Sequence, residues 1–191
     1  MTEARLALTR RLARWRVPAG FLMAAVVFWL AAPTRLSLVA GGAVAVVGES
    51  LRIWAAGHLR KSSEVTVSGP YRYVAHPLYV GSSIMGAGLA VAGNRVGVVV
   101  LVAAYLLVTI AAAVRSEETF LRDRFGDGYE MYKRGASADG PPHEASELSH
   151  AEAGRRFSFT RATANREYRA VAGLIVAWLV LVFKATYNGS F

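Results

Sequence analysis

The sequence predicts an all-α fold, an integral membrane helical bundle of five transmembrane helices. Two observations carry that reading. Long, nearly uncharged apolar blocks alternate with polar stretches at 1–16, 58–77 and 115–169. Those blocks approach or reach the roughly 17–25 residues a membrane helix needs, and they outrun typical strands. The basic residues are also segregated, with 18 of 22 Lys+Arg inside the three polar stretches. A mean hydropathy of +0.33 averages over this segregation. A simple soluble domain and a disordered chain are both excluded by it.

The first block, 17–32, can extend backwards through Trp15, a residue suited to a membrane interface. Its basic start also resembles a signal peptide. It runs instead through Pro33-Thr34-Arg35 into a second apolar block, which reads as a helical hairpin. That second block, 36–57, is broken only by Glu49 and Arg52 near its end. Blocks 78–93 and 96–114 are separated by Asn94-Arg95 and predict a tight antiparallel hairpin. The last block, 170–187, carries Lys184 near its exit. Small residues Gly41, Ala45 and Gly48 in the second helix, and Ser82, Gly86 and Gly93 in the third, suit close helix packing.

Residues 1–134 therefore read as a core of four helices plus a cytoplasmic extension. In that extension Gly126 and Gly128 mark a break. Residues 135–169 read as a polar linker and basic segment, and 170–191 as the fifth helix and tail. Short cytoplasmic loops concentrate Lys and Arg, so the N-terminus is expected inside and the C-terminus outside. The net charge of +9 is then a topology signal and a contact with anionic membrane lipid. No basic module with interleaved aromatics suggests nucleic acid. With no cysteine there is no disulfide, thiolate zinc site or cysteine nucleophile, and no metal site is expected.

Polar groups at a span's edge mark candidate chemistry. Glu49 and Arg52 stand three apart on one helical face. They suit a structural pair or the wall of a substrate route, and Arg52 could also snorkel to the interface. Further on, Ser68-Gly69-Pro70-Tyr71 leads to Ala75-His76-Pro77-Leu78-Tyr79-Val80-Gly81. Pro77 fits a first helical turn, which leaves His76 at a helix entrance where backbone N–H groups favour an anion. A carboxylate there could also bond to His76 and to the Tyr71 or Tyr79 hydroxyl. The same residues also fit an interfacial aromatic belt with a solvated histidine.

Glu117-Glu118 falls where the fourth helix leaves the membrane on the same side. The hairpin makes this pair a spatial neighbour of His76. A carboxylate pair there suits an ammonium group or a ribose diol, or simply solvated charge. Both blocks on one side of one hairpin point to a small zwitterionic ligand.

These ordered pieces, with Phe125-Gly126-Asp127-Gly128-Tyr129-Glu130-Met131-Tyr132-Lys133, resemble the isoprenylcysteine carboxyl methyltransferase family. The related membrane phospholipid methyltransferases share the pattern more loosely. The resemblance implies an enzyme that binds S-adenosyl-L-methionine at its cytoplasmic face. Tyr71, His76, Pro77, Leu78, Tyr79 and Gly81 would line the cofactor pocket, with 64–67 beside it. Glu117 would touch the cofactor directly, joined by Glu118 and Tyr129. Ala75 and Ala113 stand where family members often carry arginine, leaving Arg115 the nearest cation for a substrate.

The implied activity is methyl transfer to a lipophilic or membrane-resident small molecule, with a carboxylate among the acceptors it admits. An amine or phenol acceptor would need Glu118 or His76 as proton acceptor. Two other readings remain: an NADPH-dependent membrane enzyme of sterol-reductase type, and a non-catalytic scaffold.

Overall fold

The structure is a computed structural model that describes residues 20–59, 66, 68–125 and 156–189. Among them there is no strand. The helices are α1 (Gly20–Leu30), α2 (Arg35–His58), α3 (Pro77–Gly93), α4 (Val96–Phe125), α5 (Phe159–Ala164) and α6 (Tyr168–Tyr187), with a 3-10 turn at Gly69–Arg72. Among the described residues, three helical stretches are long and apolar enough to cross a membrane: Arg35–His58, Val96–Ser116 and Tyr168–Tyr187. Three of the five expected spans thus meet that measure. The 17-residue α3 and the described part of α1 are shorter apolar helices. Leu36, Val96, Leu107 and Phe183 all stand exposed, an apolar exterior suited to lipid and poorly suited to water.

Helix α2 begins on a reciprocal cap. The Ser37 N–H donates to Thr34 Oγ1 at 3.2 Å, and the Thr34 N–H donates to Ser37 Oγ at 2.9 Å. Ser37 Oγ is also 3.1 Å from the Ala92 carbonyl, tying this end of α2 to the end of α3. Asn94 then turns the chain in the left-handed region (φ 51°), a conformation asparagine tolerates. Its side-chain amide donates to the Ala32 carbonyl at 3.2 Å, and the Ala32 N–H donates to Gly93 at 2.8 Å. The two turns at this end are therefore clipped together.

Between those ends α2 and α3 meet backbone to backbone. A methyl group at Gly41 would sit 2.4 Å from the Gly88 carbonyl oxygen, and one at Gly48 would sit 2.4 Å from the Met85 nitrogen. Gly88 in turn faces Ala45. Lipid supplies no hydrophobic drive for helix association, so close packing of this kind must hold the pair. The α2 residues singled out by sequence make the contact. On α3 the seam runs through Gly81, Gly88 and Ala92. Gly86 and Gly93 face Leu106 and Val98 of α4, while Ser82 serves a polar cluster instead.

Helix α4 continues unbroken past the membrane stretch to Phe125, as the extension reading expects. The break at Gly126 and Gly128 lies outside the described residues.

Candidate functional site

The opposite end of α2 is where polar residues gather. Pro70 and Pro77 forbid a regular helix across 68–77, and the chain folds into a 3-10 turn followed by the first turn of α3. Gly69 (φ +61°) allows the reversal, and the His58 ring lies against it where a Cβ would be 2.6 Å from the ring carbon. His58 is held in turn by a 2.9 Å hydrogen bond from Nδ1 to the Trp54 carbonyl. Tyr71 is buried within the turn.

His76 is the N-cap of α3, and its side chain makes no capping hydrogen bond. Its ring lies 5.8 Å from that of Tyr79, tilted by 45°. Pro77 is fully buried beside it. The His76 carbonyl accepts from Tyr79 N–H at 3.1 Å and Val80 N–H at 3.2 Å. Since Pro77 has no N–H, Leu78 carries the first-turn amide that this carbonyl does not engage. The anion-binding end of α3 is thus narrower than the sequence suggests, and side chains must do more of the work.

Arg52 is the hub of the site. Its Nε lies 2.6 Å from Glu167 Oε1 and 3.7 Å from Glu49 Oε2. The same guanidinium donates to the Leu78 carbonyl at 3.4 Å and to Ser82 Oγ. It therefore joins α2 to the first turns of α3 and to the start of α6. Both carboxylates are buried, each only 6% exposed. Such a cluster is stable only while the opposite charges stay together. The Glu49–Arg52 pair expected from sequence is present. Its shortest ion pair, though, is to Glu167, which sequence reasoning passed over.

Glu167 is positioned by an unusual local device. It caps α6 without using its side chain on its own helix, and it follows Arg166 in the left-handed region (φ 63°). That conformation costs a non-glycine residue roughly 1–2 kcal/mol. The reversal frees the Glu167 carboxylate to reach Arg52. Around it, the C-terminal segment satisfies the last carbonyls of α2. Asn165 donates to Ala56 at 2.9 Å and Leu59 at 3.0 Å, Ser158 N–H donates to Gly57 at 3.1 Å, and Arg161 donates to His58 at 3.4 Å. These carbonyls are among those any helix end leaves open.

Gly81, expected in the pocket, lies against Arg52 and the Gly48 carbonyl, and so stands at the α2–α3 seam. Arg115 is exposed on α4. The backbones of Glu117 and Glu118 belong to α4, but their side chains, like Tyr129 and residues 64, 65 and 67, lie outside the described residues. The α3–α4 hairpin puts the start of α3 and the far part of α4 at the same end. At 1.5 Å per residue, Pro77 stands about 24 Å from the turn and Glu117 about 32 Å. The pair therefore lies further out than His76.

Fold and site together define a helical membrane protein with a buried cluster of two glutamates and an arginine and a proline-broken, histidine-bearing segment at one end of its bundle. The chain belongs to the phospholipid methyltransferase family, whose model matches residues 15–128. It is 32% identical over 139 residues to the cobalt-zinc-cadmium resistance protein CzcN of Cupriavidus metallidurans, covering 66% of this chain and 62% of that protein. It is 29% identical over 138 residues to the nickel-cobalt-cadmium resistance protein NccN of Alcaligenes xylosoxydans xylosoxydans, covering 66% of this chain and 63% of that protein. The matches thus span less than two thirds of those relatives' own length. No solved structure matches the chain. Residues 156–189, including Glu167, lie beyond the family match.

Proposed function

We propose that this protein is an S-adenosyl-L-methionine-dependent methyltransferase acting on a lipophilic, membrane-resident small molecule at the cytoplasmic face. Membership of a methyltransferase family carries the reading. The residues at the start of α3 fit the cofactor. His76 stands at the helix start with an imidazole, Leu78 brings a backbone N–H, and Tyr71 and Tyr79 bring hydroxyl groups. Together these suit the carboxylate of a zwitterion, and Glu117 would take its ammonium group or ribose diol. When bound, the cofactor supplies a methyl group activated on a sulfonium. What the chain must add is alignment of the acceptor in line with that methyl. An ionised acceptor needs no base. An amine or phenol would lose its proton to Glu118 or His76. Glu49, Arg52 and Arg115 are the residues assigned to the acceptor's side.

The test is calorimetric titration of S-adenosyl-L-methionine, and separately NADPH, into the detergent-purified chain. Micromolar S-adenosyl-L-methionine binding, lost in folded His76→Ala and Glu117→Ala variants, is the expected result. Tight NADPH binding instead would assign the protein to membrane reductases, and binding of neither would leave a scaffold.

A further inference from the structure

Residues 156–189 lie beyond the family match, yet they reach back to both ends of the segment that leads into α3. Each time they do so through one side chain of α2. At the start of the segment the His58 ring lies against Gly69, and Phe157 stands on that ring at 5.9 Å between centroids, tilted by 52°. Phe157 also fills the space beside Gly57, and the Ser158 N–H donates to the Gly57 carbonyl at 3.1 Å. At the end of the segment Arg52 donates to the Leu78 carbonyl and to Ser82, and Glu167 meets Arg52. Gly69 and Leu78 are therefore backed alike, by one α2 residue and then by one C-terminal residue. Tyr71, His76 and Pro77 lie between these two held ends.

Neutralising Arg52 does not require Glu167, because Glu49 stands 3.7 Å away on the same helix. What Glu167 adds is direction. A guanidinium is planar, and its N–H groups point in a fixed fork. With Nε against Glu167 Oε1, that plane is not free to turn, and Nη1 stays on the Leu78 carbonyl and Ser82. Gly81 lets the Arg52 stem lie flat on α3, where a Cβ would be 2.6 Å from Cγ. Arg166 is held in the left-handed region just before Glu167. Strain of that kind persists where the surrounding structure over-determines it.

We propose that Glu167 and Phe157 are positioning residues: acting through Arg52 and His58, they hold the two ends of the 69–78 segment in the form that binds the cofactor. This clamp rests on the reading of that segment as part of the S-adenosyl-L-methionine site. It gives the C-terminal residues a part in that site from outside the family-matched core.

The test follows amide exchange of peptides covering 69–81, and calorimetric titration of S-adenosyl-L-methionine, in the detergent-purified full chain. Glu167→Gln leaves Arg52 beside Glu49, so no buried charge is stranded. Phe157→Ala loosens the other end. Both variants should exchange faster across 69–81 without ligand. Both should bind S-adenosyl-L-methionine about tenfold more weakly, as for a segment that is competent about one tenth of the time. Saturating cofactor should restore the protection. Arg52→Lys keeps the charge but loses the planar fork, and should behave like Glu167→Gln. The control is Lys184→Met, which frees the far end of α6 from the Phe28 and Trp29 carbonyls. It should lower the unfolding temperature and leave both readouts unchanged. Unaltered affinity in Glu167→Gln and Phe157→Ala, or an equal loss in Lys184→Met, would overturn the clamp and leave the methyltransferase reading standing. If the unaltered chain binds no S-adenosyl-L-methionine, while exchange still rises in Glu167→Gln and Phe157→Ala but not in Lys184→Met, that reading fails and the clamp on the segment stands.

Discussion

Helix α2 meets two partners in two different ways. Against α3 it packs glycine to backbone along most of its length, with no room for a methyl group at Gly41 or Gly48. Against the start of α6 it is joined through Arg52 and Glu167, beyond which the two helices stand apart, and the far end of α6 is tied by Lys184 to α1 instead. The first contact can only be a rigid scaffold, because any added atom must move a backbone. The second leaves an apolar-lined space that a ligand can fill. The comparison teaches where to look for function: α3 is held by close fit, whereas α6 is held by charge.

The largest effect should come from the charge. Arg52→Met leaves Glu49 and Glu167 buried without their cation, and breaking such a cluster costs about 3–5 kcal/mol. Thermal unfolding in detergent should show that loss, and adding Glu49→Gln and Glu167→Gln should recover most of it. Failure of the triple variant to recover would mean that Arg52 matters mainly through Leu78 and Ser82.

Gly48→Ala comes next. Its new methyl meets the Met85 nitrogen and the Gly81 carbonyl, and overpacking of this kind costs about 1–3 kcal/mol. A smaller loss follows from Asn165→Ala, which removes donors from the Ala56 and Leu59 carbonyls, about 1–2 kcal/mol in all. Hydrogen exchange at the end of α2 should accelerate in that variant while the α2–α3 seam stays protected. Gly173→Ala should have the smallest effect and the opposite sign. Nothing lies within 4 Å of its Cβ position, so the helix-propensity gain of roughly 0.5–1 kcal/mol is unopposed. A loss on Gly173→Ala as large as that on Gly48→Ala would erase the contrast between the two interfaces.

Much of this was legible in the sequence, and the parts that were not share a cause. The bounds of α2 and the α3–α4 turn followed from an apolar run after Thr34 and from Asn94-Arg95, both local signals. The face of α3 did not. That helix is small or apolar all round, so no stripe separates Gly81, Gly88 and Ala92 from Ser82, Gly86 and Gly93. The partner of Arg52 was hidden for another reason. Glu167 sits among Arg161, Arg166 and Arg169, where the surrounding charge reads as a solvated basic run. Its contact crosses more than a hundred residues, and only the reversal at Arg166 brings it inward. A lone acid just before an apolar span was the one available clue.

The most direct test of the central claim is methyl transfer itself. The protein, reconstituted in nanodiscs of lipid from its host membrane, would be given S-adenosyl-L-methionine labelled with tritium on the methyl group. The account predicts tritium in the organic extract, lost in Glu117→Ala and His76→Ala variants that still unfold at the normal temperature. Tritium that stays in the water phase, despite a bound cofactor and a membrane supplied with long-chain amines and carboxylic acids, would contradict it.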